Sequence, residues 1–137
     1  MKKTTLKQFI VPCYDKPGTL GQILTTLGKN GINVKGISTY AMGPIAYISF
    51  TAEPTEKVEA VLKQAGFQVF WNNVIAVTLP NKAGELGKFA DFLGKEGINI
   101  QSLFGYSGEQ TEATFLFSVS DYEKSQKVIE NALANVA

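Results

Sequence analysis

A chain of 137 residues, 45% hydrophobic and 18% charged, has the balance of a folded globular protein of one ordinary domain or two very small ones. Its formal net charge of +1 creates no field that would draw nucleic acid or an anionic membrane. There is no histidine, and all thirteen basic residues are Lys, which removes the usual acid/base group near neutral pH and the forked side chain that grips carboxylate and phosphate.

From the N-terminus, the basic start Met1 to Lys7 is followed only by Phe9-Ile10-Val11 before Pro12, Tyr14 and Asp15 interrupt. That run is too short for export or for spanning a bilayer, so a cytoplasmic protein is expected. The single Cys13 excludes an intrachain disulfide and a cysteine-rich metal site, in keeping with a reducing compartment. Alternation of Phe9, Val11 and Cys13 predicts a first strand with one buried face. Next comes Asp15-Lys16-Pro17-Gly18-Thr19-Leu20-Gly21, and then a helical stripe of Leu20, Ile23, Leu24 and Leu27 that Gly31 stops. A second strand is expected from about Asn33 to Tyr40, a turn at Met42-Gly43-Pro44, and a third strand carrying Ala46, Ile48 and Phe50. A second helix then bears Val58, Val61, Leu62 and Ala65.

The same order returns sixty-six positions later. Ile75, Val77 and Leu79 repeat the first strand, and Asn81-Lys82-Ala83-Gly84-Glu85-Leu86-Gly87 repeats the turn. Leu86, Phe89, Ala90 and Leu93 repeat the helix, and Leu93-Gly94-Lys95-Glu96-Gly97-Ile98-Asn99-Ile100 answers Leu27 to Val34. Of the 26 positions from 15 to 40, eleven are identical to their counterparts. A strand from Asn99 to Tyr106, a loop about three residues longer, and a strand with Phe115, Phe117 and Val119 follow. The last helix carries Val128, Ile129, Ala132 and Leu133, with Asp121 as its cap. The first copy closes with a fourth strand at about Phe67 to Trp71, whereas the second stops where that strand would begin. Asn72-Asn73 can form a two-residue hairpin turn. On that basis residues 67–71 serve both copies, in one sheet ordered 2-3-1-4-1′-3′-2′. The expected fold is thus α+β, two βαββαβ units at 1–71 and 72–137, the second lacking its last strand.

At Asp15 to Leu20, at Gly31-Ile32-Asn33-Val34 and at their second copies, the chain resembles the ACT domain family. The resemblance implies a ferredoxin-like fold and an allosteric site for an amino acid. In the family that site lies where the turn after the first strand meets the second strand of a neighbouring unit. It departs from the family pattern at Ala83, where Pro is common, and at Asp15, where ligand-binding members often carry Asn.

Gly18, Thr19 and Leu20, and in the second copy Gly84, Glu85 and Leu86, open helices whose first amides lack intrahelical partners and carry the positive dipole end. Without arginine, a ligand carboxylate would settle on such amides, where glycine permits close approach. Asp15 and Asn81 read first as helix caps. As ligand groups, Asp15 could take an ammonium and the neutral Asn81 could take either ligand charge, so the Asn81 turn is the preferred carboxylate site. By resemblance, Asn33 and Asn99 match an asparagine that reaches a ligand held by a neighbouring unit. Cys13 reads as a small core residue.

An RNA binder of this topology would display aromatics on the open sheet face. Here Phe115 and Phe117 share the face of Val119, and arginine is missing. A metal-carrying relative would need Cys-x-x-Cys in the first turn. The expected function is therefore regulatory binding of a free amino acid or close analogue. No catalysis, cofactor or metal is expected, nor any nucleic-acid or membrane partner. The chain should act on a separate enzyme or other protein as a homodimer or larger homo-oligomer, and residues 1–66 at +4 and 67–137 at −3 suit contact between unlike halves. The alternative is a structural or interaction module with vestigial ligand sites.

Overall fold

The computed structural model describes residues 2–136. They form six strands, four α-helices and one short 3-10 turn, an α+β fold with antiparallel strand pairing, and they divide into two compact units.

The first unit comprises residues 7–72. It holds most of strand β1 (Lys2–Tyr14), helix α1 (Thr19–Lys29), strands β2 (Asn33–Met42) and β3 (Ile45–Glu53), a 3-10 turn at Thr55–Lys57, helix α2 (Val58–Gln64) and the start of strand β4 (Phe70–Pro80). Strand β3 pairs antiparallel with β1, Phe9 opposite Phe50 and Tyr14 opposite Ile45, and also with β2, Asn33 opposite Glu53 and Tyr40 opposite Tyr47. The predicted alternation holds, because Phe9, Val11, Ile48 and Phe50 are buried together with Ile23, Leu27, Val58 and Leu62. Burying each such side chain stabilises by about 1.5–3 kcal/mol. Gly31 ends α1 with φ +73°, the left-handed conformation that costs glycine no Cβ clash.

The second unit comprises residues 73–136 and residues 2–6 at the start of β1. Helix α3 (Glu85–Lys95), strands β5 (Ile100–Tyr106) and β6 (Glu112–Val119), and helix α4 (Tyr122–Val136) follow β4. Strand β6 lies between β4 and β5, Ile75 opposite Phe117 and Leu103 opposite Phe117. Ile75, Val77, Leu79, Phe89, Leu93, Phe117 and Ile129 form its core, with Leu86 and Phe115 packed against it. Asp121 caps α4 as expected, accepting the Lys124 N–H at 3.0 Å. The β5–β6 loop, residues 107–111, is three residues longer than the two-residue connection at 43–44.

Three expectations are corrected. Residues 67–69 are not strand, and β4 runs unbroken through Asn72 and Asn73, so the hairpin and the seven-strand order do not exist. A two-residue hairpin turn of that kind needs two positive φ angles, and among the described residues only glycines have one. Along the edge of the second unit, residues 2–6 lie beside β4. Leu20, assigned to the core, is 38% exposed, because α1 buries the row Thr19, Ile23 and Leu27 instead. Asp15 and Asn81 do not cap the helices: Gly18 and Gly84 hold the N-cap positions, with φ +93° and +87° and no side-chain cap bond.

Candidate functional site

Each turn between first strand and helix is built alike. The Asp15 N–H donates to Pro44 O and the Asn81 N–H to Thr111 O, both at 2.9 Å, which ties each turn to the neighbouring hairpin connection of its own unit. The Thr19 N–H donates to Lys16 O at 3.3 Å and the Gln22 N–H to Gly18 O at 2.9 Å. Leu20 and Gly21 N–H are thereby left without an intrahelical acceptor at the positive end of α1. In α3 the Glu85 N–H donates to Lys82 O and the Lys88 N–H to Gly84 O, leaving Leu86 and Gly87 in the same position. The expected amides shift one residue along, since Thr19 and Glu85 N–H are already engaged.

The side chains separate the two turns. Asn81, exposed, donates from Nδ2 to Gln110 O at 2.8 Å and Gly108 O at 3.3 Å, and its Oδ1 accepts the Ser107 hydroxyl at 2.9 Å. The residue preferred as a carboxylate contact therefore holds down its own long loop. Beside it, Glu85 places a carboxylate in the first turn of α3, 3.2 Å from Lys88 Nζ, with the side chain only 12% exposed. That negative charge already answers the α3 dipole.

In the first unit the equivalent of Glu85 is the neutral Thr19. It is 8% exposed, and its Oγ1 is buried with no hydrogen-bond partner. Thr19 lines a pocket of about 540 Å³ with Lys16 and Gln22, the β1 end Pro12-Cys13-Tyr14, Ile45, and Ala65 to Gln68 just past α2. Burial, and secondarily the charge of Asp15, push the Cys13 thiol above its ordinary value. Sequence reasoning weighed the amides of this turn and missed the pocket. Lys16 recurs as Lys82 in the repeat, a usable signal, but nothing local marks Ala65 to Gln68 as neighbours of a turn fifty residues earlier.

Asn33 and Asn99 are exposed and lie away from these turns. Along β3, Asn33 pairs at Glu53 whereas Tyr14 pairs at Ile45, a separation of about 26 Å at strand rise. Asn99 just precedes β5, where its N–H donates to Ser120 Oγ at 3.1 Å. Within a unit, neither asparagine is brought to the turn. Among the described residues no group of three or more acidic or cysteine side chains could hold a metal, and no helix is long and apolar enough to cross a membrane.

Residues 8–66 match the family model of the ACT domain. No curated protein matches the chain. A solved structure of a protein from Bacteroides thetaiotaomicron superposes with a TM-score of 0.88 at 22% identity, covering 94% of this chain and 89% of that one. The ligand-free regulatory subunit of aspartate kinase from Thermus thermophilus gives 0.67 at 14% identity, covering 96% and 95%. The aspartokinase III of E. coli in complex with lysine and aspartate gives 0.62 at 16% identity, over 98% of this chain and 32% of that one. At these identities the likeness is one of fold.

Proposed function

On the premise that residues 8–66 form an ACT domain, we propose that the chain is a regulatory protein, not an enzyme, that binds a free amino acid and acts on a separate partner. One observation carries this reading: the β1–α1 turn of the ACT segment presents uncapped amides beside a pocket about 540 Å³ in volume, whose wall includes Lys16, Thr19 and Gln22. Anions bind readily at helix N-termini, and a pocket with apolar walls and a few polar groups is the usual form of a small-molecule site. The Thermus thermophilus relative is itself a regulatory subunit, which supports action on another chain.

The second unit repeats the order β-α-β-β-α and is read as a second ACT-like unit, so that the chain is a tandem of two. Its turn at Gly84, Glu85 and Leu86 is the weaker ligand site, for it carries Glu85 and is held by the Asn81 bonds. Asn33 lies about 26 Å along the sheet from its own turn. Any contact between Asn33 and a ligand at such a turn therefore comes from outside its own unit, and a homodimer or larger homo-oligomer is the arrangement proposed to supply it.

Thermal unfolding of the full chain against each of the twenty amino acids tests the reading. A ligand at about a hundred times its dissociation constant stabilises by about 2.7 kcal/mol, a melting shift of about 5–15 °C for a chain this size. A flat response to all twenty would sink the binding reading in favour of an interaction module.

A further inference from the structure

In the first unit one face of the sheet packs on the helices. At the ends of the strands nearest the β1–α1 turn, the opposite face is open. Cross-strand partners share a face, so the register sorts the side chains. Val11 pairs with Ile48 and Cys13 with Ala46, on the core side. The residues between them form two rows across three strands on the other side: Pro12, Tyr47 and Tyr40, then Tyr14, Ile45 and Met42. The Tyr40 and Tyr47 rings stack with centroids 5.5 Å apart. Tyr14, Tyr40 and Met42 are 71%, 57% and 68% exposed, and neither row holds a charged residue.

The second unit shows that the fold does not require these side chains. At the equivalent register its rows read Thr78, Thr114 and Tyr106, then Pro80 and Glu112, and the Thr78 and Thr114 hydroxyls meet at 3.2 Å. The apolar rows of the first unit therefore serve something other than folding. Aromatic residues and Met without charge make up the centre of protein interfaces, and contiguous exposed apolar surface marks such sites. A charge-free patch offers no basis for choosing a charged partner, yet it complements itself across a two-fold axis, where each residue meets the same set again. The formal net charge of +1 puts little repulsion between copies. Each patch presents about 400–500 Å². Two of them burying each other remove about 800–1,000 Å², the size of a weak specific contact. Deepening the homo-oligomeric reading above, we propose that two copies of the chain pack sheet against sheet through this open face of the first unit. The contact lies at the opposite end of β2 from Asn33, so it does not depend on any ligand contact by that residue.

Sedimentation velocity of the full chain over a wide concentration range, without ligand, tests the face. The mass should double reversibly as concentration rises. Tyr40→Ser should raise the dimer dissociation constant about tenfold or more. Met42→Glu, which puts a buried like charge on both sides, should raise it about a hundredfold. The same Tyr→Ser change at the equivalent residue of the second unit, Tyr106→Ser, should leave it unchanged. All three positions are exposed, so the fold is retained. Mixing Met42→Glu with Met42→Lys should restore association beyond that of either variant alone, as a contact between two copies of one patch requires. A dimer that forms equally well in Tyr40→Ser and Met42→Glu overturns this face while leaving the homo-oligomeric reading intact. A monomer at every concentration up to about 1 mM overturns both and gives the face to a different protein.

Discussion

Thr19 and Glu85 occupy the same place in the repeat, and each has a buried side-chain oxygen without a hydrogen-bond partner. An unpaired buried polar atom costs about 1–3 kcal/mol, so its occurrence at both positions marks the first helical turn as one place where the fold gives up stability, Asn72 in β4 being another. The sequence showed the turn but not this burial. Hydropathy assigned Leu20 to the core and left Thr19 as backbone, whereas the helix buries Thr19 in line with Ile23 and Leu27. A one-residue rotation of the stripe escapes a pattern in which Leu20, Ile23, Leu24 and Leu27 are all apolar. Cys13 reports on the same pocket. Because burial first, and Asp15 second, hold its thiol above the ordinary value, it should stay protonated and react slowly with iodoacetamide near neutral pH. The alkylation midpoint should lie above that of a free cysteine, and Asp15→Asn should lower it part of the way. Ligand in the pocket should slow the reaction further. A midpoint at or below that of free cysteine, followed by mass spectrometry, would show the thiol in different surroundings.

At the scale of elements, the periodic and glycine-marked features were legible and the long connections were not. Gly31 and Gly97 end α1 and α3 with φ +73° and +77°, and the stripes on both helices were in the right place to within one turn. The hairpin at Asn72-Asn73 failed because two asparagines allow a turn without requiring one. Pairing of β4 with β6 from Ile75 to Pro80 rewards extended backbone that leads directly out of that pair. The same accounting predicts which glycines matter. Gly18→Ala should cost about 1–2 kcal/mol for the left-handed conformation alone, since a Cβ there meets nothing within 4 Å. Gly105→Ala should cost more by a different route. Its Cβ would lie 2.8 Å from the Thr114 carbonyl and against the Phe115 ring, so β5 must move off β6. Denaturant midpoints of the two variants should rank in that order, and equal midpoints would contradict the packing of Gly105 on β6. Asn81→Ala releases three side-chain bonds to residues 107–111. At an exposed site that should cost about 1–2 kcal/mol, without loss of ligand binding in the first unit.

At the scale of the whole molecule, chain order and unit membership part company at the first residues. The repeat was read as two consecutive stretches, and no periodicity could show that residues 2–6 belong with residues 73–136. Lys3 shows how they are held there: its Nζ donates to Gln126 Oε1 at 2.7 Å and lies 3.6 Å from Glu130, both on α4, and its side chain is 17% exposed. A half-buried lysine with two partners contributes more than a surface ion pair, which is worth about 0–1 kcal/mol, and a hydrogen bond to a charged group adds about 1.5–3 kcal/mol. Lys3→Ala should therefore destabilise the second unit, and removal of residues 1–6 should do so more strongly by stripping the edge of β4. Hydrogen exchange followed by peptide mass spectrometry gives the reading by region. Protection should fall across β4, β6 and α4 while α1, β2 and β3 keep theirs, because their core of Phe9, Ile23, Ile48 and Phe50 includes no residue before 7. Uniform loss of protection along the whole chain would instead mean that residues 2–6 hold both units in one cooperative transition.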